Sequence, residues 1–254
     1  MLTPAELDRM RVVLVSPRNP LNIGAAARAM SNFGMLRLRL VNAYDVAFRE
    51  ARSAVGAAAS VLADAEEYPT LAEAVADCAL VVGTTAVGER ELLHPLRSLQ
   101  EGAPLIRSGI ASGCVAIVFG SERSGLRNED FSHYHWLIRI PTRVEHISMN
   151  LGQAVALCLY ELIRDTSAAP ALEAPPSPAS TLHPATALEL DRLTGVLFES
   201  LQQSGYVKPR SEADTQEKVR RLVRRLSLTS GDAELVLGML RQILWKLRHG
   251  EDRE

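Results

Sequence analysis

The 254-residue chain is poor in cysteine, with three, and in aromatic side chains, at 5% of residues. Cys78, Cys114 and Cys158 share no metal-ligand spacing, so a zinc module or a disulfide-built scaffold is excluded and buried reduced thiols are the plain reading. No His-Glu-x-x-His run occurs, and His133 and His135, alternating around Tyr134, suit the flank of a strand; no metal is expected. Uninterrupted apolar stretches of membrane-spanning length are missing, and residues 1–10 carry acids without an apolar signal core. A cytoplasmic protein with no membrane partner is therefore expected. The net charge of −2 gives no excess of either sign, so any nucleic-acid surface must come from local clustering. Two nucleotide fingerprints are absent as well. There is no Gly-x-Gly-x-x-Gly, and the interval from Gly120 to Gly125, which fits a P-loop, is followed by Leu126 and Arg127 where Lys and Ser/Thr are required.

What is present is an alternation. Apolar, β-branched runs at residues 12–15, 36–41, 80–83, 115–119 and 137–140 read as strands. Between the first two, residues 23–33 are alanine-rich, and Gly34 stands where a helix takes its C-terminal glycine. Strands alternating with helices predict an α/β fold, a mostly parallel sheet with covering helices. Residues 166–185 hold five of the 13 prolines and almost no charge, too little apolar surface to order themselves, and read as a linker. The predicted organisation is thus a first domain over 1–165, a linker over 166–185 and a small all-helical domain over 186–254. In that last part helices are expected over 188–203, 215–226 and 232–248. Within the second of these, Val219, Leu222, Val223 and Leu226 form an apolar stripe that leaves Lys218, Arg220, Arg221, Arg224 and Arg225 outside it. Such a face suits phosphate contact or plain solvation.

Three polar constellations follow the apolar runs, which is how open α/β sheets present a ligand site at their strand ends. The first is Asn22-Ile23-Gly24 with Arg28, the second Gly120-Ser121-Glu122 with Gly125-Leu126, the third Ile140-Pro141 with Ser148-Met149-Asn150. Each has a modest structural reading. Asn22 can cap a helix while Arg28 makes a surface ion pair; Glu122 can pair with Arg123 or Arg127; Ser148 and Asn150 can be helix-cap residues, with Ser148 opening a helix to about residue 165. Gly125 suits a sharp turn that brings backbone close to a ligand.

In this order and combination the three pieces resemble the motifs of the SpoU-type branch of the SPOUT RNA methyltransferases, over roughly residues 11–165. The resemblance implies a Rossmann-like sheet with a C-terminal trefoil knot, S-adenosylmethionine as cofactor, a homodimer that shares its sites, and methylation of a ribose 2′-hydroxyl. It implies that Arg28 activates the acceptor ribose; as a guanidinium it is a poor base, so it would position the hydroxyl and its phosphate. Asn22, Glu122, Ser148 and Asn150 join it as catalytic residues. The cofactor would be held by Thr84, Thr85, Gly120, Glu122, Gly125, Leu126, Ile140, Ser148 and Met149. Met149 stands where the family more often has leucine, an exchange that keeps volume and apolarity. After Thr85 the family commonly continues with alanine and arginine; here Ala86-Val87 follows, and the next arginine is Arg90. The helical extension, with Leu197-Phe198-Glu199, Gly205-Tyr206 and the basic stretch 218–226, is similar to that of the TrmJ-like tRNA (cytidine/uridine-2′-O-)-methyltransferases, which implies tRNA nucleotide 32 as the target; RNA contact is expected of Arg28 at the acceptor ribose and of Arg221, Arg224 and Arg225 on the cationic face. The alternatives are ribosomal RNA or another tRNA position as substrate, and a non-catalytic knotted RNA-binding module.

Overall fold

The apolar runs become the middle of one parallel sheet. In the computed structural model, which describes residues 2–52, 56, 58–86, 94–143, 145–164 and 183–250, the strands are β1 (Met10–Val15), β2 (Arg37–Val41), β3 (Glu66–Tyr68), β4 (Leu80–Thr84), β5 (Leu96–Ser98), β6 (Val115–Phe119) and β7 (Trp136–Arg139). They pair in the order β3-β2-β1-β6-β4-β7-β5, every neighbour parallel. The sequence carries no apolar run for β3 and β5. Both are three-residue edge strands, Glu-Glu-Tyr and Leu-Arg-Ser, with no more than intermediate burial, so burial leaves no pattern in them.

Helices cover both faces of the sheet. On one side Val12 and Leu14 pack with Ile23, Ala26 and Met30 of α2 (Pro20–Phe33), Ile106 of α6 (Leu99–Ser112) and Val155 of α8 (Leu151–Ile163). On the other, Val13 and Val15 pack with Leu71 and Ala74 of α5 (Leu71–Ala74), Phe131 of α7 (Asn128–Phe131) and Ala187 of α9 (Ala187–Gln203). Burial of both faces is why the strands read as continuous apolar runs rather than alternating ones, and each fully buried Val or Leu contributes about 1.5–3 kcal/mol. The short helices α1 (Pro4–Leu7), α3 (Asp45–Arg52) and α4 (Ala59–Ala63) complete this part. Gly34 ends α2 in the left-handed conformation, φ 72°, as its position predicts. Where α2 crosses α8, a Cβ on Gly152 would lie 2.5 Å from the Cβ of Ala25, so only glycine admits that approach.

α9, α10 (Glu212–Arg225) and α11 (Ser230–Gly250) enclose a small core of Ala185, Leu190, Leu193, Val223 and Ala233. Composition assigns residues 183–185 to a linker, yet Ala185 is buried and donates its N–H to the Leu228 carbonyl at 2.9 Å. Residues 165–182 lie outside the described residues. The helical part is seated on the sheet: the N–H of Ala187 donates to the Cys78 carbonyl at 2.8 Å, that of Leu188 to the Ala76 carbonyl at 3.0 Å, and Arg220 Nη1 to Ser132 Oγ at 3.0 Å.

α10 is rolled away from its expected orientation. Val219 and Val223 are buried, but Leu222 and Leu226 are 46% and 54% exposed, and Arg224, expected on the outer face, is 1% exposed. Arg224 Nη2 meets Asp191 Oδ1 of α9 at 2.9 Å, and Arg220 lies 3.7 Å from the same oxygen. A buried guanidinium needs a carboxylate partner, and this one decides which side of α10 turns inward. No helix among the described residues is long and apolar enough to cross a membrane.

Candidate active site

The C-terminal ends of β4, β6 and β7 open onto a cavity of about 490 Å³, a size suited to a small-molecule ligand. Thr84 and Thr85 close it from β4, where Thr84 Oγ1 donates to the Val118 carbonyl at 3.0 Å and the N–H of Thr85 to the Ile138 carbonyl at 3.0 Å. Gly120, Glu122, Gly125 and Leu126 form the wall that follows β6; Ile140, Ser148 and Met149 form the wall that follows β7. Every residue the resemblance assigns to the cofactor therefore borders one cavity. Gly120 is irreplaceable on steric grounds, because a Cβ there would lie 2.2 Å from the Gly125 carbonyl carbon and 2.3 Å from the Leu126 nitrogen. The loop returns over its own start. Gly125, with φ 66°, permits that return and donates its N–H to the Ser121 carbonyl at 2.7 Å.

A chain of side-chain hydrogen bonds ties the three constellations together. Asn150 Nδ2 donates to Asn22 Oδ1 at 2.8 Å, and Asn22 Nδ2 donates to Glu122 Oε1 at 3.0 Å. The backbone N–H of Arg18 donates to Glu122 Oε2 at 3.4 Å. Local structure frees these groups. Asn19, not Asn22, caps α2 by accepting from the Leu21 N–H at 2.9 Å, with Pro20 in the first turn. Asn150, not Ser148, caps α8, its Oδ1 accepting from the Gln153 N–H at 3.3 Å while its amide nitrogen turns to Asn22. Ser148 is exposed at the cavity instead. Neither arginine pairing foreseen for Glu122 occurs among the described residues; Arg127 pairs with Glu129.

A sequence profile described as the SpoU rRNA Methylase family matches residues 9–160. The chain belongs to the SpoU methylase family. Among its relatives, the tRNA (cytidine/uridine-2′-O-)-methyltransferase TrmJ of Cronobacter sakazakii is 34% identical over 238 residues, spanning 93% of this chain and 96% of that protein. TrmJ of Klebsiella pneumoniae is 33% identical over 243 residues, at 93% and 97%. The crystal structure of TrmJ from Z. mobilis ZM4 superposes with a TM-score of 0.76 at 34% identity, covering 92% of this chain and 98% of that one. The SpoU match thus spans the sheet and its helices, and the likeness to the Z. mobilis structure extends over the helical C-terminal part.

Arg28 stands apart from the other motif residues. It is exposed on α2, does not border the cavity, and has no hydrogen-bond or ion-pair partner among the described residues. Of the three arginines read as RNA contacts on α10, Arg225 is exposed and Arg221 partly so, whereas Arg224 is committed to Asp191. Arg90 lies outside the described residues. Sequence reading overlooks Phe119, Phe131, Ile138, Ile147, Leu151 and Ala154 as cavity residues, since apolar side chains at strand ends and helix starts look like ordinary core. His133 and His135 precede β7 and join no metal-ligand cluster among the described residues; burial first, then the charges of Arg220 and Arg224 for His133 and Arg224 for His135, push each down to about 3.

Proposed function

We propose that this SpoU-family chain is a cytoplasmic, S-adenosylmethionine-dependent tRNA 2′-O-methyltransferase that acts, as a homodimer, on nucleotide 32 of the anticodon loop. The observation that carries the reading is the Asn150–Asn22–Glu122 chain at the rim of a strand-end cavity, in a protein that aligns over nearly its full length with TrmJ enzymes. A non-catalytic binding platform has no use for such a set.

The cavity residues fit the cofactor. The Gly120 crossing leaves backbone rather than side chain on the cavity wall, Ile138, Ile140, Met149 and Leu151 supply apolar surface for a base, and Thr84, Thr85 and Ser148 supply polar atoms. S-adenosylmethionine, when bound, supplies an electrophilic methyl group on sulfur. The protein's part is positioning: Glu122, fixed by Asn22 and the Arg18 N–H, holds the loop after β6 in register with α2 and α8. Arg28, which does not border the cavity of its own chain, would serve the site of a second copy, its fork orienting ribose hydroxyl and phosphate. That arrangement supports the homodimer. A trefoil knot is part of the same proposal, as is the division into a methylating domain over 1–165, a linker over 166–182 once the folded residues 183–185 are taken from it, and a helical RNA-binding unit beyond.

The deciding experiment is mass-spectrometric mapping of 2′-O-methylated nucleotides after incubating the purified protein and S-adenosylmethionine with unmodified tRNA and, separately, with ribosomal RNA. The expected product is a single methylated ribose at position 32 of tRNA. The name of the matched family favours ribosomal RNA as the second reading; methylation of ribosomal RNA alone would establish it and overturn the tRNA reading.

A further inference from the structure

The three cysteines separate in the fold. Cys158 is sealed inside α8, where burial pushes its thiol up to about 12. Cys78 and Cys114, far apart in sequence, come side by side with their sulfurs 3.5 Å apart. They precede β4 and β6 and are clasped by the backbone, the N–H of Ala79 donating to the Cys114 carbonyl at 2.8 Å. This is the N-terminal edge of the sheet, opposite the cavity. Cys78 is fully buried, while Cys114 is only partly so.

The surroundings bear on what such a pair can do. Asp77 lies within 3.5 Å of the Cys78 sulfur and 3.6 Å of the Cys114 sulfur, so three ligand types converge. Yet both Asp77 oxygens are engaged by Arg39, at 2.5 and 3.0 Å, with Arg11 at 3.6 Å. A metal ion there would face two guanidinium groups and a carboxylate already satisfied. The two guanidinium charges favour a thiolate and the Asp77 carboxylate opposes it. The hydrogen bond from Cys78 holds the Cys114 thiol below its ordinary value, while that contact and burial raise Cys78.

We infer that Cys78 and Cys114 form a peroxide-oxidisable dithiol, with Cys114 as the attacking sulfur and Cys78 as the resolving one. The Cys114 thiolate attacks a hydroperoxide; a sulfur–oxygen bond forms, the oxygen–oxygen bond breaks, and the leaving alkoxide or hydroxide takes up the proton the thiol released. Cys78 sulfur then attacks the Cys114 sulfenic acid: the S–S bond forms, the S–O bond breaks, and hydroxide leaves with the Cys78 proton as water. The two sulfurs give up two electrons, which reduce the peroxide to an alcohol, or to water from hydrogen peroxide, with one further water released. Sulfurs at 3.5 Å must close to about 2.05 Å, a modest shift for two side chains already in contact. The disulfide would tether the segment whose Ala76 and Cys78 carbonyls receive α9, so oxidation acts on the seating of the helical part.

The test is to treat the full-length reduced protein with hydrogen peroxide, block free thiols with N-ethylmaleimide and map tryptic peptides by mass spectrometry; Arg90, Arg97 and Arg107 place the two cysteines on separate peptides. The expected result is a Cys78–Cys114 cross-linked pair lacking two hydrogens, released by dithiothreitol, with Cys158 unlinked. In Cys78→Ser, dimedone should trap the sulfenic acid at Cys114. Sulfinic acid on Cys114 beside a free Cys78 would overturn the inference. So would unreacted thiols under conditions that oxidise free cysteine, or stoichiometric zinc in the purified protein that shields both sulfurs.

Discussion

Asn22 and Glu122, a hundred residues apart in sequence, are joined by a 3.0 Å hydrogen bond from Asn22 Nδ2 to Glu122 Oε1. The orientation of the Asn22 amide is fixed from the other side, because its Oδ1 accepts from Asn150 Nδ2. Asn22→Asp replaces the donor by a carboxylate facing Glu122, two like charges in contact. Methyl transfer should fall at least about tenfold in Asn22→Asp, and Asn22→Ser, which keeps a donor, should retain more. Single-turnover assays on tRNA check this; wild-type rates in both variants would remove Asn22 from the site.

Arg28→Ala should abolish methyl transfer while leaving S-adenosylmethionine affinity within a few-fold, since its side chain does not border the cavity. Lysine should fail to rescue it, lacking the fork that engages hydroxyl and phosphate together. Mixing Arg28→Ala with an Asn22→Asp partner provides the check on shared sites: recovered activity in the mixed dimer is expected, and its absence under exchange conditions points to sites built from single chains.

Arg224 and Arg225 are adjacent on α10 and should behave oppositely. Arg224→Ala strips a buried partner from Asp191 and should lower stability by about 3 kcal/mol, read from denaturant midpoints. Arg225→Gln, at an exposed position, should leave stability unchanged but weaken RNA binding and flatten its salt dependence by about one phosphate contact. An unaltered salt slope would make the outer side of α10 a solvated face only.

Acid should loosen the fold well before carboxylates protonate. Burial, and next the arginines of α10, hold His133 and His135 at about 3 and His94 at about 4. The unfolded chain protonates these groups near 6.5, so between pH 6.5 and about 4 it binds protons that the folded chain refuses, and stability falls as pH drops. The loss is at most about 1.4 kcal/mol per histidine per pH unit. Asp77 acts in a lower window. Burial raises its carboxyl, but the Arg39 hydrogen bonds and charge outweigh this and hold it at about 2, so its contribution is present above 3.8 and lost only below that. Denaturant midpoints at pH 7.5 and 4.5 measure the histidine effect; equal midpoints would contradict it.

The central strands, the Gly34 end of α2 and the glycine loop after β6 are legible from residues alone, because burial on both faces writes continuous apolar runs and tight turns demand glycine; the opening caps of α2 and α8 fall instead on Asn19 and Asn150. So are the motif residues, since their types and order set the family. The edge strands β3 and β5 are not, having too little buried surface to leave a pattern. Nor is the roll of α10. Periodicity ranks Leu222 above Arg224 for the interior, but one carboxylate on a neighbouring helix reverses the ranking, and a partner in space has no trace in local sequence. The same holds at both ends of the sheet: Asn22 with Glu122 at one, Cys78 with Cys114 at the other. Sequence determined which groups this protein owns; the crossing connections of a parallel sheet, which bring distant strand ends together, decided which of them touch.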